Sequence, residues 1–188
     1  LEAAIFVVHV RKATWGPQTD ANTQPFTRAH GGRDWLFAHA GSLERRLELP
    51  TGTRFLPVGA TDSERVLCAL LHRVAESDHT DLGAVPTEDL HRWLTELNAL
   101  GSLSLVVSDG RDLLVYSDAQ GRGGLHLAEL HPPYADAVGF GDEDLGVDLT
   151  TRGTPLWKGL VVCSSPLASE GPAPLAWRAL SPGSLHVL

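Results

Sequence analysis

The chain contains no methionine and only two cysteines, Cys68 and Cys163, among its 188 residues. Two cysteines cannot build a disulfide framework and no secretory signal is evident, so we expect a reducing, cytoplasmic compartment. Long apolar runs are also lacking and the mean hydropathy is −0.05, so we expect no membrane partner. Lysine and arginine number 15 against 23 aspartate and glutamate, which leaves a net charge of −8. Because phosphate backbones require a basic face, nucleic acid is not an expected partner.

The start of the chain lacks the features of a complete N-terminus. Residue 1 is leucine, whereas removal of an initiator methionine normally requires a small second residue. The apolar run from Ile5 to Val10 predicts a strand covered on both faces, which requires neighbours on each side. We therefore expect that N-terminal strands are missing and that another segment or a second chain completes the sheet. At this length the chain corresponds to a single domain spanning residues 1–188.

The hydrophobic pattern predicts an α+β fold in which two adjacent helices lie between groups of strands. Residues 11–30 have no apolar period and indicate a long loop, followed by a short strand over 35–39 that ends at Gly41. Thr61 and Glu64 form a capping box before a helical stripe, and Pro86 and Thr87 begin a second helix that Gly101 ends. Alternating or short apolar runs predict further strands at 103–107, 113–116, 125–130, 160–163 and 185–188.

Several common chemistries lack their sequence signature. The chain has no G-x-S-x-G elbow, P-loop or H-E-x-x-H helix, and the spacing of its nine histidines matches no ligand pattern. We therefore predict no metal site and no cofactor. Residues 139–141 lack the third glycine of a dinucleotide loop and are interpreted as a turn. Cys68 lies within the first helical stripe and Cys163 ends an apolar strand, so both are interpreted as small core residues and not as nucleophiles.

Three segments carry a more specific signal when they are taken together. Residues 9–16 read HVRKATWG and are followed by NTQPF at 22–26; residues 35–43 read WLFAHAGSL, and residues 59–64 read GATDSE. In this order and spacing they resemble the class II (N-terminal nucleophile) glutamine amidotransferase domain, especially its small stand-alone members. The resemblance extends over essentially the whole chain from Ile5 and is strongest up to Cys68. It implies a four-layer α-β-β-α sandwich of two mostly antiparallel sheets between helical layers.

The resemblance also implies a clamp for a free amino acid. The arginine of the first segment, here Arg11, holds the α-carboxylate of glutamine, and the aspartate of the third, here Asp62, takes the α-ammonium; Thr14 lines the same pocket. A guanidinium fork fixes a carboxylate through two parallel charge-assisted bonds, and a helix N-terminus favours an ionised aspartate. The alternative is that Arg11 is a surface ion-pair member and Asp62 only a cap residue.

The sequence departs from the family in two catalytic features. The family uses an N-terminal cysteine as nucleophile, with its own α-amine as base, and no cysteine stands at position 1. The family also builds an oxyanion hole from an asparagine and the following glycine in an H-N-G segment. Here Ala40 replaces the asparagine and only Gly41 remains. Loss of one such donor typically slows a reaction by about 10²–10³, whereas loss of the thiol removes it.

Two functions from different classes remain open. The first is a glutamine amidotransferase or γ-glutamyl amidase that uses a cysteine upstream of residue 1 and has impaired or absent activity in this chain. The second is a non-catalytic homologue that keeps Arg11 and Asp62 and binds a glutamine-like ligand or a partner chain. Ala40 favours the second, unless it is an engineered trap for bound substrate. The acceptor of the released nitrogen is not specified by the sequence.

Overall fold

The computed structural model describes most of the chain and divides it into two compact units. The described residues are 5–10, 19–132, 139–141, 146–148, 158–170 and 175–188. The first unit comprises Leu1–Gly123 together with Pro182–Leu188, and the second comprises Gly124–Ser181. The single domain expected over residues 1–188 stays a prediction. No helix in the described ranges has both the length and the apolar character needed to cross a bilayer.

Two helices and eleven strands are assigned within the described ranges. The helices are α1 (Asp62–Glu76) and α2 (Thr87–Asn98). The strands are β1 (Phe26–His30), β2 (Arg33–Leu43), β3 (Gly101–Ser108), β4 (Leu113–Tyr116), β5 (His126–Leu130), β6 (Gly139–Gly141), β7 (Gly146–Asp148), β8 (Gly159–Cys163), β9 (Ala168–Glu170), β10 (Arg178–Ala179) and β11 (Leu185–Val187). Each assigned pair of strands is antiparallel, so the predicted α+β class is confirmed.

The first unit is a five-stranded sheet with both helices on one face. Its strand order is β1-β2-β3-β4-β11, and β2, the longest strand, pairs with β1 and β3. Since side chains alternate between the faces of a strand, the odd-numbered residues Trp35 and Phe37 of β2 enter the core. There they meet the apolar stripes of α1 and α2, whose spacing matched the sequence prediction. This packing fixes α1 across β1 and β2, and α2 across β3.

The second unit contains two three-stranded sheets. One has the order β10-β5-β8 and the other β7-β6-β9. In the first of these sheets, Leu127, Ala128 and Leu130 of β5 are buried. The N–H of Leu180 extends the pairing by donating to the Leu125 carbonyl at 2.8 Å.

Four expectations about secondary structure were wrong. Residues 5–10 form no strand; their even positions are exposed, with Phe6, Val8 and Val10 each at 62%. The predicted loop over 11–30 contains β1, and β2 continues through Gly41 to Leu43. Gly41 remains in the ladder because it pairs with Leu103 of β3. Residues 139–141 form β6, paired on both sides, and not a turn.

Candidate functional site

Asp62 lies where the first helix begins and faces the end of β2. Its Oδ2 accepts a hydrogen bond from the Leu43 N–H at 2.7 Å, and its Oδ1 accepts one from the Ser63 N–H at 2.9 Å. Thr61 is the N-cap, and its hydroxyl accepts from the Glu64 N–H at 3.2 Å, as the capping box predicted. An ionised carboxylate offers about four acceptor positions, so Asp62 retains capacity for a further donor.

The His39 side chain, on β2, contacts both β3 and the start of α1, close to Asp62. Its Nε2 lies 3.1 Å from the Ser102 carbonyl oxygen and its Nδ1 lies 3.0 Å from the Ser63 hydroxyl. A carbonyl can only accept, so Nε2 carries the proton and donates to Ser102. In the neutral ring, Nδ1 then accepts from the Ser63 hydroxyl.

The protonation of His39 is set by its surroundings. Burial lowers the pKa of His39, since only 2% of the residue is exposed, and nearby His9 lowers it as well. The Ser102 carbonyl and the Asp62 carboxylate act in the opposite direction without reversing the shift. The ring is therefore neutral near pH 7, which matches the hydrogen-bond pattern.

Gly41 is required at its position by close contacts. Its φ is +151°, and a Cβ built there would overlap the Ser102 carbonyl oxygen and lie 2.7 Å from His39 Nε2. A glycine at this position lets β2 approach β3 closely beside Asp62. Ala40 points to the opposite face of the sheet, where its pairing partner is Ser104. The Ala40 methyl group offers no hydrogen-bond donor.

Gln24 fixes the backbone of His39. The His39 N–H donates to Gln24 Oε1 at 2.6 Å, and Gln24 Nε2 donates to the His39 carbonyl at 3.1 Å. The carboxamide thus behaves like one more residue pair between β1 and β2, at a place where Pro25 has no N–H to donate. Gln24 is buried, so the two bonds are shielded from water.

Glu64 holds the loop that leads into α1. Its Oε1 accepts from the Val58 N–H at 2.8 Å, its Oε2 accepts from the Gly59 N–H at 2.7 Å, and Arg28 of β1 forms an ion pair with Oε1. The Glu64 carboxylate therefore bonds to N–H groups of residues that precede the N-cap, and not to the N–H of Thr61 that a complete capping box would use. Gly59 is close-packed, since a Cβ there would lie 2.5 Å from Asn22 Oδ1. These contacts fix the position from which Asp62 projects.

The structure tests the positions of some of the predicted site residues and not of others. Asp62 and Gly41 lie at the same end of β2, joined through Leu43, while Ala40 lies on the other face of that strand. Arg11 and Thr14 lie in residues 11–18, outside the described residues. The substrate-binding roles of Arg11, Thr14 and Asp62 therefore stay predictions.

Sequence reasoning missed His39, Ser63 and Gln24. His39 and Ser63 were inside the quoted segments, each directly beside a residue that was singled out, but a pattern of letters does not show which neighbours bond. Gln24 lay in the quoted NTQPF segment, where no role was predicted for it. Its bidentate contact with the His39 backbone is not visible in the sequence, because it joins residues 15 positions apart.

The two cysteines differ in their surroundings. Cys68 lies on α1 with no exposed surface, and burial raises the pKa of its thiol, so the predicted core role is confirmed. Cys163 belongs to the second unit and is only half-buried, so its predicted core role was wrong; its Sγ lies 2.8 Å from the Ser165 carbonyl oxygen. Burial raises the pKa of that thiol too.

One group of carboxylates in the described part of the chain has the proximity expected of metal ligands. Oxygens of Asp81, Asp109 and Asp112 lie within 4.8 Å of one another. Asp109 already accepts hydrogen bonds from the N–H groups of Leu82, Arg111 and Asp112. Burial by itself would raise the pKa of Asp109, but these bonds lower it overall. The group is explained as a structural link between the β3–β4 turn and the loop after α1.

An antiparallel α+β fold, with an aspartate at a helix start facing the His-Ala-Gly end of a strand, is the arrangement expected of the amidotransferase type of domain that the sequence resembles. Residues 1–188 match the family described as class II glutamine amidotransferases, and the chain belongs to that family. The predicted recognition and the fold class are thereby confirmed.

Individual relatives support the same assignment. The chain is 30% identical over 187 residues to an uncharacterized protein of Methanocaldococcus jannaschii, covering 100% of this chain and 50% of that protein. It is 31% identical over 185 residues to Escherichia coli YafJ, named provisionally as a glutamine amidotransferase, covering 97% of this chain and 69% of YafJ. The crystal structure of a predicted glutamine amidotransferase from Pseudomonas aeruginosa superimposes with a TM-score of 0.72 at 29% identity, covering 89% of this chain and 62% of that one. The chain thus spans about half the length of the first relative.

Proposed function

We propose that this domain binds glutamine or a γ-glutamyl compound at the start of α1, with Asp62 receiving the α-ammonium group. The observation that carries the proposal is the placement of Asp62, whose two oxygens are fixed by the Leu43 and Ser63 N–H groups beside Gly41. A carboxylate fixed in this way meets an ammonium without losing further side-chain freedom, which favours binding. Arg11 and Thr14 complete the clamp by analogy with the family.

The chemistry proposed for this family site is hydrolysis of the side-chain amide. A cysteine thiolate attacks the amide carbon, the oxyanion collapses to a thioester as ammonia or an amine leaves, and water then releases the acid and regenerates the thiol. The Gly41 N–H supplies one oxyanion donor. Because Ala40 has no side-chain amide, the second oxyanion donor is missing. We propose that turnover is therefore impaired or absent in this chain.

A second function, binding without turnover, is favoured by Ala40 and by the burial of Cys68. Cys68 has no exposed surface, so its thiol is closed to a bound ligand. In that case the domain is a non-catalytic homologue that recognises a glutamine-like ligand or a partner chain. Asp62 has the same role in both functions, so a binding experiment tests their shared basis first.

Isothermal titration of the chain with L-glutamine tests the clamp. Asp62→Asn removes the charge, and we expect affinity to fall tenfold or more, because hydrogen bonds to charged groups contribute about 1.5–3 kcal/mol. Asp89→Asn is the matched control, since Asp89 also lies in a first helical turn but on α2, where it pairs with Arg92. The control is expected to bind glutamine like the unaltered chain.

A second ligand separates loss of the clamp from loss of the fold. 4-Carbamoylbutanoate is glutamine without its α-ammonium, so the unaltered chain is expected to prefer glutamine and Asp62→Asn to lose that preference. Equal preference in the two proteins would contradict the assignment of Asp62.

The oxyanion assignment is tested by the glutaminase activity of Ala40→Asn, measured in a form of the protein with a cysteine ahead of residue 1. A rise of about 10²-fold is expected, and no rise would refute the assignment.

A further inference from the structure

A cavity of about 640 Å³ lies beside the turn between β1 and β2, at the other end of β2 from Asp62. Its polar lining comes from Arg28, His30, Gly31, Gly32, Arg54 and Thr80. None of its described lining residues is acidic, although acidic residues outnumber basic ones by 23 to 15 in the chain. The two guanidinium groups, of Arg28 and Arg54, thus place positive charge at one cavity of a protein whose net charge is negative.

Arg54 is held in place by two neighbouring side chains, although it is an exposed residue. His30 Nε2 lies 2.8 Å from the His79 carbonyl oxygen, so that nitrogen carries the proton, and His30 Nδ1 accepts from Arg54 Nη2 at 3.2 Å. The guanidinium carbon lies 5.1 Å from the centre of the Phe55 ring, within the range of a cation–π contact. A buried histidine therefore orients an arginine whose remaining donors are open to a ligand.

Arg54 and Arg28 differ in how the described residues match their charges. Among the described residues no carboxylate lies within ion-pair distance of Arg54, whereas Arg28 is already paired with Glu64 and bonded to the Thr27 carbonyl. Among the described lining residues, Arg54 therefore carries a positive charge without a carboxylate partner. The fixed guanidinium fork can hold an anion through charge-assisted hydrogen bonds.

The glycine turn adds donors on the other side of the cavity. Gly31 and Gly32 have φ angles of +60° and +75° and form the two-residue connection between β1 and β2. Within the described residues, neither of their N–H groups donates to a carbonyl or a side chain. Consecutive free N–H groups in a turn are a common element of phosphate sites. At Gly32 the space of the missing side chain is open, so an anion can approach the backbone there, whereas Thr80 fills the corresponding space at Gly31.

We propose that this cavity binds a phosphoryl group, either as inorganic phosphate or as a small phosphate monoester. The Arg54 guanidinium supplies a fork that matches two phosphoryl oxygens, and the Gly31–Gly32 turn supplies donors for a third. The cavity volume lies in the range of small-ligand sites and exceeds the size of phosphate alone. At roughly 3.4 Å per residue, the eight steps along β2 from Arg33 to Gly41 separate the glycine turn from Gly41 by about 25 Å.

NMR titration of the ¹⁵N-labelled chain with sodium phosphate tests the proposal, with sodium chloride at matched ionic strength as reference. We expect the amide signals of Gly31 and Gly32 and the Nε–H signal of Arg54 to shift and to saturate. Glycerol 3-phosphate, titrated in parallel, identifies the source: tighter binding than phosphate indicates a monoester ligand, and weaker binding indicates free phosphate.

Two arginine variants separate a specific site from general attraction of anions. Arg54→Gln is expected to weaken phosphate binding tenfold or more, whereas Arg46→Gln, which removes an exposed arginine paired with Glu48, is expected to leave it unchanged. His30→Phe keeps the net charge and is expected to weaken binding several-fold through loss of the acceptor for Arg54. Non-saturating shifts, or equal weakening by Arg54→Gln and Arg46→Gln, would overturn the proposal. Glutamine affinity is measured separately, so failure here leaves the clamp proposal unaffected.

Discussion

Glu64→Gln tests whether the buried carboxylate holds the start of α1 in place. Glu64 is 1% exposed and accepts hydrogen bonds from the Val58 and Gly59 N–H groups in addition to its ion pair with Arg28. A glutamine at this position can accept through one oxygen only, so its NH₂ group faces a backbone donor and the charge of Arg28 loses its partner. Breaking a buried pair from one side costs about 3–5 kcal/mol. Because the Arg28 side chain is 21% exposed and partly solvated, we expect about 3 kcal/mol.

Urea denaturation monitored by tryptophan fluorescence measures this loss. The matched control is Glu96→Gln, which breaks the surface pair between Glu96 and Arg73, whose side chains are 53% and 30% exposed. Exposed pairs contribute about 0–1 kcal/mol, so the control is expected to unfold almost like the unaltered chain. If the two variants lower the free energy of unfolding by the same amount, the reasoning about Glu64 is wrong.

Two further predictions concern the end of β2. Gly41→Ala is expected to lower the free energy of unfolding by more than Gly52→Ala, because both glycines have positive φ, about 1–3 kcal/mol of strain each, but only Gly41 also meets the Ser102 carbonyl oxygen. Equal losses in urea denaturation would argue against the close contact. For His39, whose pKa is lowered mainly by burial, the unfolded state binds a proton below about pH 6.5 that the folded state rejects. Stability is therefore expected to fall as pH drops below 6.5, by up to about 1.4 kcal/mol per pH unit, and His39→Gln to remove that part of the pH dependence; an unchanged profile in His39→Gln would contradict the assignment.

Local chemistry was sufficient to predict the helices. The Thr61 hydroxyl at the N-cap and the apolar spacing that follows it act within a few residues, so their effect is readable from the sequence. The end of α2 was predicted only approximately, since its C-cap is Ala99 and Gly101 opens β3. The strands at 103–107 and 113–116 were predicted for the same reason, since alternation and the Asp109-Gly110 turn are local signals. The α+β class follows from these elements.

The interpretations of residues 26–30 and of residues 5–10 were wrong for different reasons. Residues 26–30 have a weak alternation and become a strand through pairing with β2 across the Gly31-Gly32 turn. That glycine pair was a usable hairpin signal and was overlooked. Conversely, the apolar letters of residues 5–10 suggested burial on both faces, whereas exposure alternates along the segment in the structure.

Some residues of the candidate site were predicted from the sequence and others were not. Asp62 and Gly41 were found because the family resemblance marks them. His39, Ser63 and Gln24 were missed because their roles depend on hydrogen bonds between residues 15 to 63 positions apart. Sequence letters identify groups that could bond, and only the fold determines which ones meet.

The contact between Gln24 and His39 has a consequence for how the sheet could become sensitive to acid. A carboxamide suits this place because it offers a donor and an acceptor at once, one for each backbone group of His39. Glutamate has the same shape but only acceptors when ionised, so its second oxygen would face the His39 carbonyl. On protonation it would regain the donor. Replacing the nitrogen of this side chain by oxygen would therefore make its hydrogen bond to the His39 carbonyl depend on pH, with the bond present only when the carboxyl group is protonated.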